Sequence, residues 1–269
     1  MHEVTMLASG TGTGTTVDQF ALGYWLVPLS LGISVLGATI GLACIRHGAR
    51  SVKFRLVWLA TAAMSLGGVG AWLATAVAML GLKVPGSVMY YDSGKLTAAL
   101  AVAIVTVFAA LLVVGRTPQL PLLLSGGLIL GLGLGLTNYL GIGSIMIQGS
   151  VEVSVWLVIV SVAIGVLTAM ATLWLFYMGS FPLAQAAAAL LFGIGVTATY
   201  YTALAALHFD VIPGSGVPEG TKLFDFVFPM FIIGLLSLAV PISAVLIAPD
   251  RRAETALPVP HQPTLEPAR

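Results

Sequence analysis

The chain has 269 residues, of which 58% are hydrophobic and only 8% are charged. Soluble globular domains carry about 25% charged residues, so this composition excludes a water-soluble globule. The formal net charge of +1 is uninformative about partners, but the sequence has neither a phosphate-binding loop nor a basic face for nucleic acid. The single cysteine, Cys44, excludes an intrachain disulfide and a metal cluster built from cysteines.

Seven apolar runs follow one another along the chain, and each has at least 19 residues without Asp, Glu, Lys, Arg or His. A helix rises about 1.5 Å per residue, so such a run can cross a hydrocarbon core of about 30 Å. Backbone polar groups in lipid must be satisfied internally, which favours helices over open strands. We therefore predict an all-α, polytopic membrane protein whose seven spans lie at residues 22–45, 56–80, 96–114, 120–147, 153–177, 184–207 and 226–248.

Composition divides the chain into three parts. Residues 1–20, with alternating Gly and Thr, indicate a flexible external arm. Residues 21–248 form the predicted seven-helix membrane domain. Residues 249–269 are polar and rich in proline, which indicates a short disordered cytoplasmic tail. We expect no output domain after the last span.

The basic residues cluster on one side of the membrane when the spans are laid out alternately. The positive-inside rule therefore predicts an external N-terminus and a cytoplasmic C-terminus. Only Lys83, Lys95 and Lys222 fall on the outer side. The residues on the inner side are Arg46, Arg50, Lys53, Arg55, Arg116, Arg251, Arg252 and Arg269.

A threefold internal repeat runs through the last six spans. Gly-x-Gly steps begin at Gly68, Gly131 and Gly193, at intervals of 63 and 62 residues. A nearly constant period indicates one structural unit used three times. After one extra helix, the spans are thus predicted to form three helical hairpins, at residues 56–114, 120–177 and 184–248.

Each Gly-x-Gly step precedes a short window near the outer end of an outward-running helix. Aligning the three copies places residues 74–79 over residues 137–142 and 199–204. At a helical rise, each window lies on the order of 10 Å below the outer boundary of the membrane. Equal depth and equal period predict that spans two, four and six converge on one axis and bring the windows together.

These windows resemble the MHYT domain, a bacterial integral-membrane sensor module named for a Met-His-Tyr-Thr motif repeated in three helices. The likeness covers nearly the whole membrane part, including Arg55-Leu-Val-Trp-Leu, Gly70-Ala-Trp, and Tyr91-Asp92 followed by Leu96-Thr97. The resemblance implies a sensor in the bacterial inner membrane, commonly joined to cytoplasmic cyclase, phosphodiesterase or kinase modules. It also implies copper bound by motif Met and His residues near the outer face, with a small diatomic gas as the signal.

At the motif positions this chain lacks histidine. The His positions hold Thr75, Asn138 and Tyr200, and of the later Met positions only Met79 keeps its methionine. Imidazole and thioether suit copper, whereas Thr, Asn and a neutral Tyr are poor ligands for it. We therefore expect no copper and no other cofactor.

Three interpretations of the motif-equivalent residues remain open. They form interhelical hydrogen bonds that fix packing, or they bound a pocket for a small molecule or lipid, or they keep a metal site. No span contains His, so a metal site would have to recruit the outer-face residues Asp92, His208 or Asp210. The motif-equivalent residues are Thr75, Met79, Asn138, Tyr139, Thr199, Tyr200 and Tyr201.

The leading functional hypothesis is a stand-alone, non-enzymatic MHYT-like sensor or accessory protein that signals through a separate partner protein. Membrane lipid is its expected surrounding, and no nucleic acid is expected. The alternative is a transporter or channel for a small neutral solute; the spans lack the charged residue that ion-coupled carriers usually keep at membrane depth. The sequence indicates neither the ligand nor the oligomeric state.

Overall fold

The computed structural model describes residues 18–51, 54–116, 119–179, 182–212 and 218–247. Of the predicted external arm at 1–20, only residues 18–20 belong to this described part. The predicted tail at 249–269 lies entirely outside it. The predictions for these two segments therefore stay predictions.

Seven long helical rods make up most of the described chain. Each is long and apolar enough to cross a membrane. The second rod changes its helix type along its length: α2 leads into a π-helical segment, which leads into α3. The prediction of an all-α, multi-pass membrane fold is confirmed. The bounds are α1 Leu26–Arg50, α2 Arg55–Ala63, the π-helical segment Met64–Leu73, α3 Ala74–Met79, α4 Ser93–Val114, α5 Leu120–Ile142, α6 Val155–Met178, α7 Pro182–Ala205 and α8 Leu223–Ile247.

The fourth and sixth predicted spans extend past the C-terminal ends of their helices and into strands. The fourth span was expected to reach residue 147, but α5 ends at Ile142. The sixth was expected to reach residue 207, but α7 ends at Ala205. In both cases the apolar run continues into a short strand, and hydropathy alone does not separate a helix end from a buried strand.

Six of the rods pack in a closed sequence of neighbours. The π-helical segment lies between α1 and α4, α5 lies between α4 and α6, and α7 returns from α6 to α1. The predicted third hairpin departs from this arrangement, since α7 packs most closely against α6 and α1, while α8 packs against α1 and the π-helical segment. Gly193 of α7 allows α1 to pack closely against α7, because a Cβ at this position would lie 2.6 Å from Cγ2 of Val35 in α1.

Glycines also set the closest approach between other rods. A Cβ at Gly37 in α1 would lie 2.5 Å from the backbone nitrogen of Gly70 in the π-helical segment. A Cβ at Gly127 in α5 would lie 2.6 Å from Cγ of Met170 in α6. Small residues let membrane helices approach closely, so these positions fix the spacing of the bundle.

Four short strands connect the rods at one end of the bundle, which we call the strand side. They are β1 Tyr90–Tyr91, β2 Ile145–Met146, β3 Gly149–Val153 and β4 Leu207–Val211. Strands β1 and β2 pair antiparallel, as do β3 and β4. A further bridge joins Tyr91 to Thr221. Each of the three inter-rod loops on this side is thus bonded through its backbone to the other two.

The opposite end of the bundle, which we call the basic side, carries those arginines predicted to lie inside that belong to the described residues. Arg50 closes α1, Arg55 opens α2 and Arg116 follows α4. Arg116 Nη2 donates to the carbonyl oxygen of Ser51 at 3.4 Å, which links the first two basic-side connections.

Candidate functional site

Thr75 in α3 and Asn138 in α5 meet in the core of the bundle. Thr75 Oγ1 lies 3.5 Å from Asn138 Oδ1 and donates to the carbonyl oxygen of Ala71 at 2.8 Å. A threonine hydroxyl has a single proton, while a half-turn of the asparagine amide exchanges its oxygen and nitrogen. With the amide turned, Asn138 donates to Thr75 while Thr75 donates to Ala71, so each of the two bonds has its own proton.

Tyr200 in α7 reaches the same part of the core. It lines a narrow gap together with Thr75, Ser30 of α1 and Val196. Its hydroxyl is buried and has no hydrogen-bond partner among the residues that the structure describes. A buried hydroxyl without a partner lowers stability by about 1–3 kcal/mol. The Tyr200 phenol is therefore a destabilising polar group within apolar packing. Residues of all three windows therefore lie around Thr75.

Met79 and Thr199 lie beside this cluster, and each lies against a neighbouring helix. Met79 is buried, and its sulfur would lie 3.9 Å from a Cβ added at Gly141 of α5. Thr199 donates to the carbonyl oxygen of Gly195 in its own helix. The Thr199 carbonyl in turn accepts from Ser161 Oγ of α6 at 2.8 Å. The backbone carbonyl of Thr199 thus links α7 to α6 through a hydrogen bond.

The two tyrosines that follow the His positions lie outside the core cluster. Tyr139 is 57% exposed although Asn138 beside it is buried. Tyr201 is half-buried; its ring meets that of Tyr200 edge-on at 5.0 Å and that of Phe20 at 6.0 Å. The seven motif-equivalent residues therefore do not line one pocket.

The three outer-face residues lie on the strand side but serve different elements. Asp92 Oδ1 accepts from the backbone nitrogens of Gly94 at 2.9 Å and Lys95 at 3.1 Å, so it caps the N-terminus of α4. His208 and Asp210 are exposed on β4, where His208 pairs with Glu152 of β3. Within the described ranges, no three His, Cys, Asp or Glu side chains are grouped so that they could hold a metal ion.

Tyr91, next to Asp92, is almost fully buried in β1. Burial raises the pKa of its phenol well above the ordinary value. Tyr91 therefore stays neutral at physiological pH, and Asp92 supplies the negative charge at this corner of the strand side.

Sequence analysis missed a cavity of about 330 Å³ on the strand side, between α5, α6 and the end of α7. Its polar lining residues are Lys95, Tyr139 and Ser161, and the others are Gly, Ala, Val, Leu and Ile. One signal was available: Lys95 is among only three basic residues on the predicted outer side. Nothing in the sequence places it near α6.

Residues 68–127 match the family model MHYT, which is described as a bacterial signalling protein N terminal repeat. The matched segment contains Thr75 and Met79 and ends within α5, before Asn138. No curated protein and no solved structure matches the chain. The resemblance expected from the sequence is confirmed: residues 68–127 of this multi-pass membrane protein match the MHYT family model.

Proposed function

We propose that this protein is a non-enzymatic membrane sensor or accessory protein that signals through a separate partner and has lost the copper site of the MHYT family. One observation carries the proposal: a repeat of a bacterial signalling family lies in a seven-helix bundle whose motif His positions hold Thr75, Asn138 and Tyr200. We place the strand side outside the cell and the basic side in the cytoplasm.

The residues at the motif positions do not fit copper. Thr75 and Asn138 offer a hydroxyl and an amide that already bond each other, and Tyr200 offers a buried neutral phenol. Cu(I) selects thiolate and thioether donors, and imidazole suits Cu(II). Met79 supplies a single thioether, which is too few soft donors for tight binding.

The chemistry of the core cluster supports a role without catalysis. General acid–base catalysis usually relies on His, Asp, Glu, Lys, Tyr or Cys placed within reach of a substrate proton. The cluster around Thr75 contains hydroxyls and an amide, and its one phenol, Tyr200, is fully buried. Such groups suit hydrogen bonding across helices.

The basic side is the proposed contact for the partner. Arg50, Arg55 and Arg116 lie there, and the Arg116 bond to Ser51 holds two of its connections together. An acidic surface on a cytoplasmic protein would complement these charges and speed association.

Two measurements test the proposal. Purified protein in nanodiscs, exposed to Cu(I) and dialysed, is expected to hold far less than one copper per chain. About one copper per chain, lost on Met79→Ala, would overturn the proposed loss of the metal site.

The partner is tested in cells by photo-crosslinking residues placed at Arg50 and Arg116, with lipid-facing Leu167 as the matched control. We expect one discrete crosslinked protein at the arginine positions and none at Leu167. Equal crosslinking at all three positions, together with selective passage of a small neutral solute through liposomes containing the protein, would favour the transporter or channel instead.

A further inference from the structure

The cavity on the strand side has the proportions and chemistry of a binding site. Its volume of about 330 Å³ falls at the lower end of the range for ligand pockets, about 300–1,000 Å³. Tyr139 and Val153 at its rim are 57% and 44% exposed, so the cavity is open to the surroundings. Ser161 and Ala203 on its inner wall are nearly fully buried.

The cavity runs from the strands on the strand side down between α5 and α6. Ile145 of β2 and Val151 of β3 line the end of the cavity nearest the strands. Gly135 lies seven residues before the end of α5, and Val162 lies seven residues after the start of α6. At a helical rise, both residues lie on the order of 10 Å below the helix ends. The apolar space therefore runs in the direction of the lipid acyl chains.

Lys95 is the cation at the strand-side end of the cavity. Its Nζ donates to the carbonyl oxygen of Gly143 at 2.9 Å and lies 3.9 Å from Asp92 Oδ2. Its side chain is 51% exposed and has two further ammonium protons to donate. The Asp92 carboxylate nearby would repel a doubly charged phosphate more strongly than a singly charged carboxylate.

We propose that this cavity binds a long-chain fatty acid, whose carboxylate accepts from Lys95 while its acyl chain runs down between α5 and α6. The single cation selects one negative charge, the apolar walls select the chain, and the volume suits one chain rather than two. This site is separate from the Thr75 cluster, and the inference does not depend on the signalling function.

The test uses the full chain in nanodiscs of zwitterionic lipid and a photoactivatable palmitate analogue as the probe. We expect labelling at residues that line the cavity, with Val158 and Val162 as markers. Oleate should compete about fivefold better than oleyl alcohol, the size of discrimination that a half-exposed ion pair provides. Lys95→Gln should reduce that ratio to about one, whereas Lys83→Gln, an exposed lysine on the same side, should leave it unchanged.

A second pair of variants tests the part of the cavity that is proposed to hold the acyl chain. Val158→Phe should fill the cavity and reduce labelling at least tenfold, whereas Ile159→Phe, on the exposed face of the same helix, should not. If Val158→Phe does not fold, Val158→Met fills part of the space and should give an intermediate loss. Labelling spread evenly over lipid-facing residues such as Leu167 would overturn the site. Competition by dioleoyl phosphatidylglycerol equal to that by oleate would overturn the assignment to a fatty acid.

Discussion

Thr75 and Asn138 are separated by 63 positions in the chain, the interval of the internal repeat, and their side-chain oxygens lie 3.5 Å apart in the core. Equivalent positions of the first two windows thus contact each other directly. The resemblance to the MHYT motif implies histidines at these two positions, whereas here a hydroxyl and an amide lie side by side.

This contact predicts a measurable coupling energy. In a double-mutant cycle with Thr75→Val and Asn138→Leu, the coupling should be about 0.6 kcal/mol, the average for hydrogen bonds between membrane helices. Unfolding by sodium dodecyl sulfate from mild detergent measures it. Thr39→Val is the control, because among the described residues Thr39 Oγ1 donates to the Val35 carbonyl of its own helix and to no other helix. A coupling energy of the same size between Thr39→Val and Asn138→Leu would contradict the hydrogen bond assigned between Thr75 and Asn138.

Removing the Tyr200 hydroxyl should not destabilise the protein. The hydroxyl is buried and has no partner among the described residues, so Tyr200→Phe relieves a desolvation cost of about 1–3 kcal/mol. We expect the free energy of unfolding to stay the same or to rise by about 1–2 kcal/mol. Tyr201→Phe, at a half-buried ring, should change little. A loss of stability in Tyr200→Phe would show that its hydroxyl has a partner.

Histidines introduced at two of the motif positions should create copper binding. Because Thr75 and Asn138 touch, Thr75→His with Asn138→His places two imidazoles side by side near Met79, and copper favours such donors. Copper titration followed by elemental analysis should give about one ion per chain. Thr75→His with Tyr139→His is the matched control, since Tyr139 points away from the core. Equal copper in both variants would contradict the geometry.

Glycine packing predicts a sharp difference between two neighbouring positions of α1. Gly37→Ala would place a Cβ 2.5 Å from the Gly70 nitrogen, and we expect a loss of about 1–3 kcal/mol in the free energy of unfolding. Gly32→Ala meets nothing within 4 Å and should be neutral or stabilising. Equal stability of the two variants would mean that α1 does not approach the π-helical segment this closely.

The proposed orientation can be tested with the one native cysteine removed. In a Cys44→Ala background, an impermeant maleimide should label Lys83→Cys in intact cells and label Arg252→Cys only after permeabilisation. Labelling of Arg252→Cys in intact cells would reverse the orientation.

The sequence predicts the seven helices well because their hydropathy is a property of long runs. It does not predict the strands, since a two-residue strand such as Tyr90–Tyr91 leaves no alternating pattern. Tyr139 shows a second limit: consecutive residues of a helix point about 100° apart, so its neighbour Asn138 can face the core while Tyr139 faces outward. A motif alignment gives each residue a position along the chain, and only packing decides its direction.

The backbone pairing on the strand side has a mechanical consequence. Each of its three loops is bonded to the other two, through β1 with β2, β3 with β4, and Tyr91 with Thr221. Spreading the rods at this end would break several backbone hydrogen bonds at once, whereas no strand pairing is found on the basic side within the described residues. A tilt of one rod about the strand side would therefore preserve these bonds and produce its largest displacement at the far end.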